Sequence, residues 1–146
     1  MSTLTEAQAI ILCDAFVDSL DADAPGSPGY MVCYDGTPPA NVEAALSSND
    51  PVVTIVFDAT EAFQDAAVGG SGARAAITGT PSGASAKASD ISFARLFRGN
   101  GTKKAQLSVS LAAGSGEVKF STLTSSVIGQ TFTCATLYWD QPLTNA

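Results

Sequence analysis

Apolar residues near the N-terminus recur at steps of three and four, the spacing of an amphipathic helix with one face on a core. Thr3 and Glu6 are spaced as in a capping box, in which each side chain accepts a hydrogen bond from the other residue's backbone amide. Pro25 and Pro28 exclude helix from the acidic linker that follows. We therefore predict a helix from about Thr5 to Leu20, with an apolar stripe formed by Ala9, Leu12, Cys13, Phe16, Val17 and Leu20.

Two apolar runs predict buried strands in the first half of the chain. Tyr30 to Tyr34 consists of residue types that favour strands and ends at Asp35-Gly36 and Pro38-Pro39, which supply turn geometry. Val52 to Phe57 is dense in β-branched residues and almost uninterrupted, which predicts a strand covered on both faces.

The second half of the chain alternates apolar and polar residues in short runs separated by turn residues. Ile91 to Arg98 and Ala105 to Leu111 flank Asn100-Gly101, a pair that favours a tight hairpin. Further strands are predicted within Glu117 to Leu123 and over Gln130 to Trp139, where Phe132, Cys134, Thr136 and Tyr138 alternate with the opposite face.

These elements predict a mainly β fold, an antiparallel β-sandwich of jelly-roll-like or barrel-like form preceded by one N-terminal α-helix. Residues 1–28 would form the helix and its acidic Gly/Pro linker, and residues 29–146 the β-sandwich domain. The low-complexity stretch Gly79 to Ser89 is too small and polar to bury anything by itself. We expect it to be a mobile loop or an arm that a neighbouring subunit orders.

Composition indicates a protein that works in an assembly. Only 14% of the residues are charged while 45% are hydrophobic, which favours a surface partly covered by neighbours. The net charge of −7 disfavours binding to nucleic-acid phosphates. No run reaches the roughly 18 apolar residues of a membrane span, and the N-terminus lacks a secretion signal, so we expect synthesis in the cytoplasm and no membrane contact.

The residue types offer little for catalysis, metal binding or cofactor binding. The chain has no histidine, and its three cysteines, Cys13, Cys33 and Cys134, form no CxxC pair. We therefore expect no enzyme activity, metal site or cofactor. The cysteines are interpreted either as buried thiols or, because their number is odd, as candidates for a disulfide between subunits.

Several stretches together resemble small virion structural proteins encoded in the head and neck gene region of tailed bacteriophages. They are Gly29 to Pro39, Val52 to Phe57, the Gly-Gly-Ser-Gly stretch at 69–72, Ala76-Ile-Thr78, Phe93 to Phe97, Gly99 to Thr102 and Ile128 to Cys134. The resemblance implies a non-enzymatic virion protein that decorates the capsid exterior or sheathes the neck or collar. Its partners would be further copies of itself and the major capsid, portal or neck proteins.

On this interpretation the chain forms a symmetric homo-oligomer, a trimer or a ring. The expected assembly contacts are the arm 79–89 and six residues, Leu12, Phe16, Leu20, Lys87, Tyr138 and Trp139. For the helix residues the alternative is packing on the sheet of the same chain. Two other functions stay open, a tail-tube or baseplate component and a carbohydrate-binding module that uses Tyr30, Tyr34, Tyr138 and Trp139.

Overall fold

The computed structural model describes residues 3–21, 27–69 and 71–143. In these ranges the chain forms one helix and nine strands, and residues 22–26 of the predicted linker lie outside the described residues. In chain order the elements are α1 (Glu6–Asp18), β1 (Tyr30–Tyr34), β2 (Pro51–Val56), β3 (Ala67–Gly69), β4 (Gly72–Ala76), β5 (Ser82–Ala84), β6 (Phe93–Phe97), β7 (Lys103–Leu111), β8 (Val118–Phe120) and β9 (Thr131–Pro142).

The strands form one large sheet in the order β2-β1-β6-β7-β8-β9-β4-β3. This confirms the predicted mainly β fold with one N-terminal helix. The β6–β7 hairpin forms as predicted, and Gly101 in its turn has a φ of 88°, a value that favours glycine. One strand pair among the described residues departs from the antiparallel pattern, because β7 and β8 run parallel after a short return over residues 112–117.

Strand β5 connects β2, at one edge of the sheet, with β9. It pairs with β9, and just beyond it Ser85 forms an antiparallel bridge with Val53 of β2. The amide of Ala86 donates to the Val52 carbonyl at 2.7 Å, which continues that bridge. The sheet therefore curls until β2 and β9 share a neighbour, as in a barrel. The stretch 79–89 is thus folded onto its own chain, and this corrects the expectation of a loose loop or an arm.

The helix begins two residues later than its predicted capping box. Thr5 is the N-cap, with its hydroxyl accepting from the Gln8 amide at 3.2 Å and its amide donating to the Gln8 side chain at 3.3 Å. The box predicted at Thr3 and Glu6 is therefore wrong. The helix ends at Asp18, two residues before its predicted end, and the face that packs on the strands is narrower than predicted. Ala9, Cys13 and Val17 of α1 are fully buried or nearly so, as is Leu20 just after the helix.

Two carboxylates attach the helix region to the segment that follows β2. Asp14 accepts a hydrogen bond from the amide of Ala66 at 2.7 Å, and Asp21 accepts one from the amide of Ala62 at 2.8 Å. These bonds satisfy backbone donors in a segment with little regular structure, which would otherwise be costly to bury. The helix and the strands consequently share one hydrophobic core.

Strand β1 is covered on both faces. Met31 and Cys33 point into the main core, and Val32 and Tyr34 point into a second cluster with Phe93 on the outer side of the sheet. In β2, by contrast, Thr54 and Val56 are exposed while Val52, Val53 and Ile55 are buried. The expectation that β2 is covered on both faces is therefore wrong.

The loop around residues 39–44 lies over the outer face of the sheet, and a buried arginine, Arg95, holds it there. Arg95, only 2% exposed, donates to the carbonyls of Asn41 at 3.2 Å and Ala44 at 2.8 Å, and to the Gln106 side chain at 3.0 Å. Gln106 in turn donates to the Pro39 carbonyl at 2.7 Å. The planar guanidinium suits this role because it offers several donors in fixed directions.

A bulge in β9 changes which residues face the core. Cys134 pairs with Phe120 and Thr136 with Lys119, so Ala135 is an extra residue on the β9 side. Phe132 and Cys134 are buried before the bulge, whereas Leu137 is buried after it. Because an extra residue shifts the alternation of faces by one, Tyr138 lies on the surface with 43% of its area exposed.

Candidate functional site: the surface

Ile128, in the loop before β9, is the most exposed large hydrophobic residue among those that the structure describes. Ile128 is 72% exposed and its neighbour Val127 is 61% exposed. Gly129, with a φ of 92°, turns the chain back directly after them. We refer to Val127 and Ile128 as the apolar tip.

The apolar tip is held by a network of hydrogen bonds. The Val127 carbonyl accepts from the hydroxyls of Ser85 at 3.1 Å and Ser125 at 2.7 Å, and both serines are buried. The Gln130 side chain accepts from the Ser126 amide at 3.1 Å and donates to the Thr124 carbonyl at 3.0 Å. The loop backbone is therefore fixed from both sides while two aliphatic side chains face solvent.

A shallow apolar groove lies on the outer face of the helix. Its lining residues are Leu4, Gln8, Ile11 and Leu12, and its volume is about 210 Å³. Ile11 is 65% exposed and Leu12 is 47% exposed, although both belong to a helix whose other face is buried. The helix thus has two apolar stripes, and we refer to the exposed one as the helix groove.

The predicted assembly contacts on the helix differ in exposure. Leu12 lies in the helix groove, whereas Leu20 is fully buried within its own subunit. The expectation that Leu20 is a contact between subunits is therefore corrected. Phe16 stacks on Trp139 with ring centroids 3.8 Å apart, so two of the predicted contacts pack on each other inside one chain.

A cleft with a volume of about 380 Å³ lies on the outer face of β4, β8 and β9. Arg74 and Asp140 form a two-point ion pair there, at 2.6 and 3.0 Å, and the Arg74 guanidinium lies 4.6 Å from the centroid of the Tyr138 ring. Pairing of β9 with both neighbours brings these side chains together. The cleft is lined by Arg74, Ser115, Gly116, Glu117, Lys119, Tyr138, Trp139 and Asp140.

The other two tyrosines proposed as sugar platforms lie elsewhere. Tyr30 stacks on Phe97 at 5.1 Å and Tyr34 on Phe93 at 5.2 Å, on the covered outer face of β1 and β6. Tyr34 is only 7% exposed. The structure therefore brings Tyr138 and Trp139 together at the cleft and separates Tyr30 and Tyr34 from them.

Lys87, another expected contact, is held by two carboxylates of its own chain. Its ammonium lies 2.6 Å from Asp35 and 2.7 Å from Asp50. The Lys87 ammonium, the Asp50 amide and the Ser89 hydroxyl all donate to Asp35, and these donors hold the pKa of that carboxyl below its usual range. This cluster fastens the chain after β5 to the turn after β1.

Acid should weaken the interactions that the Asp35 carboxylate makes in this cluster. Because the pKa of Asp35 is lower in the folded than in the unfolded chain, its contribution to stability is present above about pH 4 and is lost as the pH falls through the folded-state value. We expect Asp35→Asn to lower the free energy of unfolding at pH 7 and to lower it less at pH 3, as measured by urea denaturation.

Asp90→Asn at an exposed carboxylate serves as the control and should change neither value appreciably. A difference between wild type and Asp35→Asn that is the same at both pH values would contradict the assigned role of Asp35.

All three cysteines are free and fully buried. Burial raises the pKa of the Cys13 thiol to about 11 and that of Cys134 to about 12, and it raises the pKa of Cys33 as well. The Cys13 thiol donates to the Trp139 carbonyl at 3.6 Å. The interpretation as buried thiols describes this conformation, and a disulfide between subunits would require the fold to open.

Among the described residues, no group of three His, Cys, Asp or Glu side chains is placed to hold a metal ion. No described helix has the length and apolar character needed to cross a membrane. What this surface does offer is a rigid apolar tip, an apolar groove and a mixed-charge cleft with one tyrosine.

Sequence reasoning missed the apolar tip. Serine and glycine dominate the run Ser125 to Gly129, and that composition predicts a break between strands rather than a contact surface. The available signal was an aliphatic pair, Val127-Ile128, inside a turn, where polar residues usually prevail.

Comparison of the chain with protein-family models, with curated proteins and with solved structures gives no match.

Proposed function

We propose that this chain is a structural protein of a tailed-bacteriophage particle, without enzyme activity, that coats the capsid exterior or sheathes the neck or collar. It would stabilise the particle as a homo-oligomer, a trimer or ring, on the major capsid, portal or neck proteins. Neither nucleic acid nor membrane is among its partners. The proposal unites the sequence resemblance with the exposed surface.

The observation that carries the proposal is the apolar tip. Hydrogen bonds fix the backbone of this loop while two aliphatic side chains face solvent, and a subunit of an assembly gains from such an anchor because it needs no ordering when it binds. The hydroxyls of Ser85 and Ser125, both 3% exposed, hold this loop in place and do not activate a reactive group. The low content of charged residues agrees with extensive contacts.

Gold labelling of purified particles tests the proposal. An antibody against this chain should label the head surface or the neck in negative-stain images of gradient-purified virions. Label on the tail tube or baseplate would favour that alternative and overturn the proposal, as would unlabelled particles. A blot of denatured virions probed with the same antibody shows independently whether the chain is present in the particle.

A second candidate function, saccharide binding, is favoured by the Tyr138 cleft. An aromatic ring beside paired Arg74 and Asp140 offers a stacking surface together with donors and acceptors for hydroxyl groups. If the cleft binds sugars, the wild type should bind on a glycan array, and Tyr138→Ala should weaken that binding about tenfold, the effect of roughly 1.4 kcal/mol.

Val68→Ala, at an exposed side chain on β3, is the matched control and should bind as the wild type does. A wild-type protein that binds no glycan on the array would remove this second function, as would equal binding by Tyr138→Ala.

A further inference from the structure

We propose that copies of this chain associate head to tail, with the apolar tip of one copy seated in the helix groove of the next. The inference rests on the proposed function and names the partner of its exposed surface, a second copy of the same chain. Four features of the described residues carry it: the rigidity of the tip, the chemistry of the groove, the distribution of charge and the distance between the two surfaces.

The tip is ready to bind without further ordering. Its backbone is fixed by Ser85 and Ser125 on one side and by Gln130 on the other. Immobilising a loop normally weakens association, because its conformational freedom is lost on binding. Here that freedom is already restricted in the free subunit, and Val127 and Ile128 remain 61% and 72% exposed.

The groove presents aliphatic surface and little else. Ile11 and Leu12 of α1, with Leu4 before it, supply the apolar walls. The one polar residue in the lining, Gln8, has its side-chain oxygen engaged by the Thr5 amide as part of the helix cap. An aliphatic side chain entering this groove therefore displaces water mainly from apolar surface.

The distribution of charge permits a tip-to-groove contact between two copies. The chain carries a net charge of −7, which repels copies from each other in general. The loop Ser125 to Gln130 contains no charged residue, and neither does the lining of the helix groove. The tip of one copy can therefore enter the groove of another without placing like charges directly against each other.

The two surfaces lie far apart on one subunit. The tip directly precedes β9 at Thr131, whereas the helix packs at the far part of the same strand, where Phe16 stacks on Trp139. At roughly 3.3 Å per residue these positions are about 26 Å apart along β9. A contact between two different, distant patches is heterologous, and it closes into a ring or extends as a filament.

The contact is small, so its affinity is expected to be modest, with a dissociation constant on the order of 100 µM. Such a contact is sparsely occupied in dilute solution. It becomes occupied where many copies are concentrated on one particle surface.

Sedimentation equilibrium of matched variants tests the arrangement. The wild type should show an average mass that rises with concentration above that of one chain. Ile128→Asp places a charge on the apolar tip, and Ile11→Asp places one in the helix groove. Each variant alone should therefore stay monomeric. Mixed in equal amounts, the two should form dimers that grow no further, because each pair retains one intact tip and one intact groove.

Leu111→Asp, which adds the same charge at a residue 50% exposed on β7, is the control and should associate as the wild type does. Far-UV circular dichroism establishes that all variants are folded. The inference is overturned by a wild type that stays monomeric, by association of either single variant, by a mixture that stays monomeric or by loss of association in Leu111→Asp. None of these results alters where the antibody labels the virion, so this inference and the proposed function can fail separately.

Discussion

Val17→Asp should strongly lower the free energy of unfolding at neutral pH. Val17 is 1% exposed and packs where the helix meets the strands, in the same core as Ala9, Cys13 and Leu20. An unpaired carboxylate there loses its hydration without gaining a partner, at a cost of about 3–5 kcal/mol. That is a large part of the roughly 5–15 kcal/mol that stabilises a domain. Thermal denaturation followed by circular dichroism measures the effect.

The same substitution on the outer face provides the comparison. Ile11→Asp at a residue 65% exposed should change the stability of the dilute monomer by no more than about 0.5 kcal/mol. The Val17→Asp protein should also regain stability as the pH falls, because protonation removes the buried charge. A cooperative wild-type melting transition in Val17→Asp would show that the helix is not part of the core.

Gly83→Val should destabilise the fold by about 3 kcal/mol or more and lower the melting temperature by about 10 °C. Gly83 lies in β5 where that strand passes β2, and a Cβ atom at this position would overlap the Thr54 carbonyl oxygen and press on the Val53 side chain. A carbonyl of the neighbouring strand can move only if the junction between β5 and β2 opens. Differential scanning calorimetry gives both quantities.

Ala84→Val, on the exposed side of the same strand, is the control and should change stability by about 0.5 kcal/mol at most. If Gly83→Val melts at the wild-type temperature, β5 does not close the sheet onto β2.

Local patterns in the sequence predict where the helix and strands of this fold lie. They predict less well which neighbouring elements cover each face. The run Tyr30 to Tyr34 is observed as β1 with the same bounds, because strand-forming residues and hard turn signals agree there. The apolar stripe predicted near the N-terminus is right except at Leu12 and, in part, at Phe16. Ala9, Cys13 and Val17 are buried, but Leu12 is exposed, since a regular helix turns it away from the face that the strands cover.

The sequence does not predict features that depend on pairing between residues far apart along the chain. Residues 79–89 look like a loose linker, yet the pairing of β5 with β9 and the Ser85 bridge to Val53 give them a place in the sheet. The bulge at Ala135 exchanges the two faces of β9, so simple alternation assigns Tyr138 to the wrong face of that strand. Polar and small residues can join a sheet whenever the neighbouring strands supply the hydrogen bonds.

The candidate site shows the same limit. The sequence predicted contacts at large apolar residues, and the structure uses Leu20, Phe16 and Trp139 largely for packing inside the subunit. Two strongly exposed residues, Val127 and Ile128, lie in a turn whose serines and glycine give no sign of an apolar surface. One of the hydrogen bonds that hold that turn comes from Ser85, 42 residues earlier in the chain, and the sequence does not predict it.

Cryo-electron microscopy of gradient-purified virions that encode this chain is the most direct test of its role as a repeated structural subunit. The account predicts density for this helix and curled sheet in a regular array on the capsid exterior or around the neck, with many copies in equivalent contacts. A complete map of the particle in which no density fits this fold would contradict it.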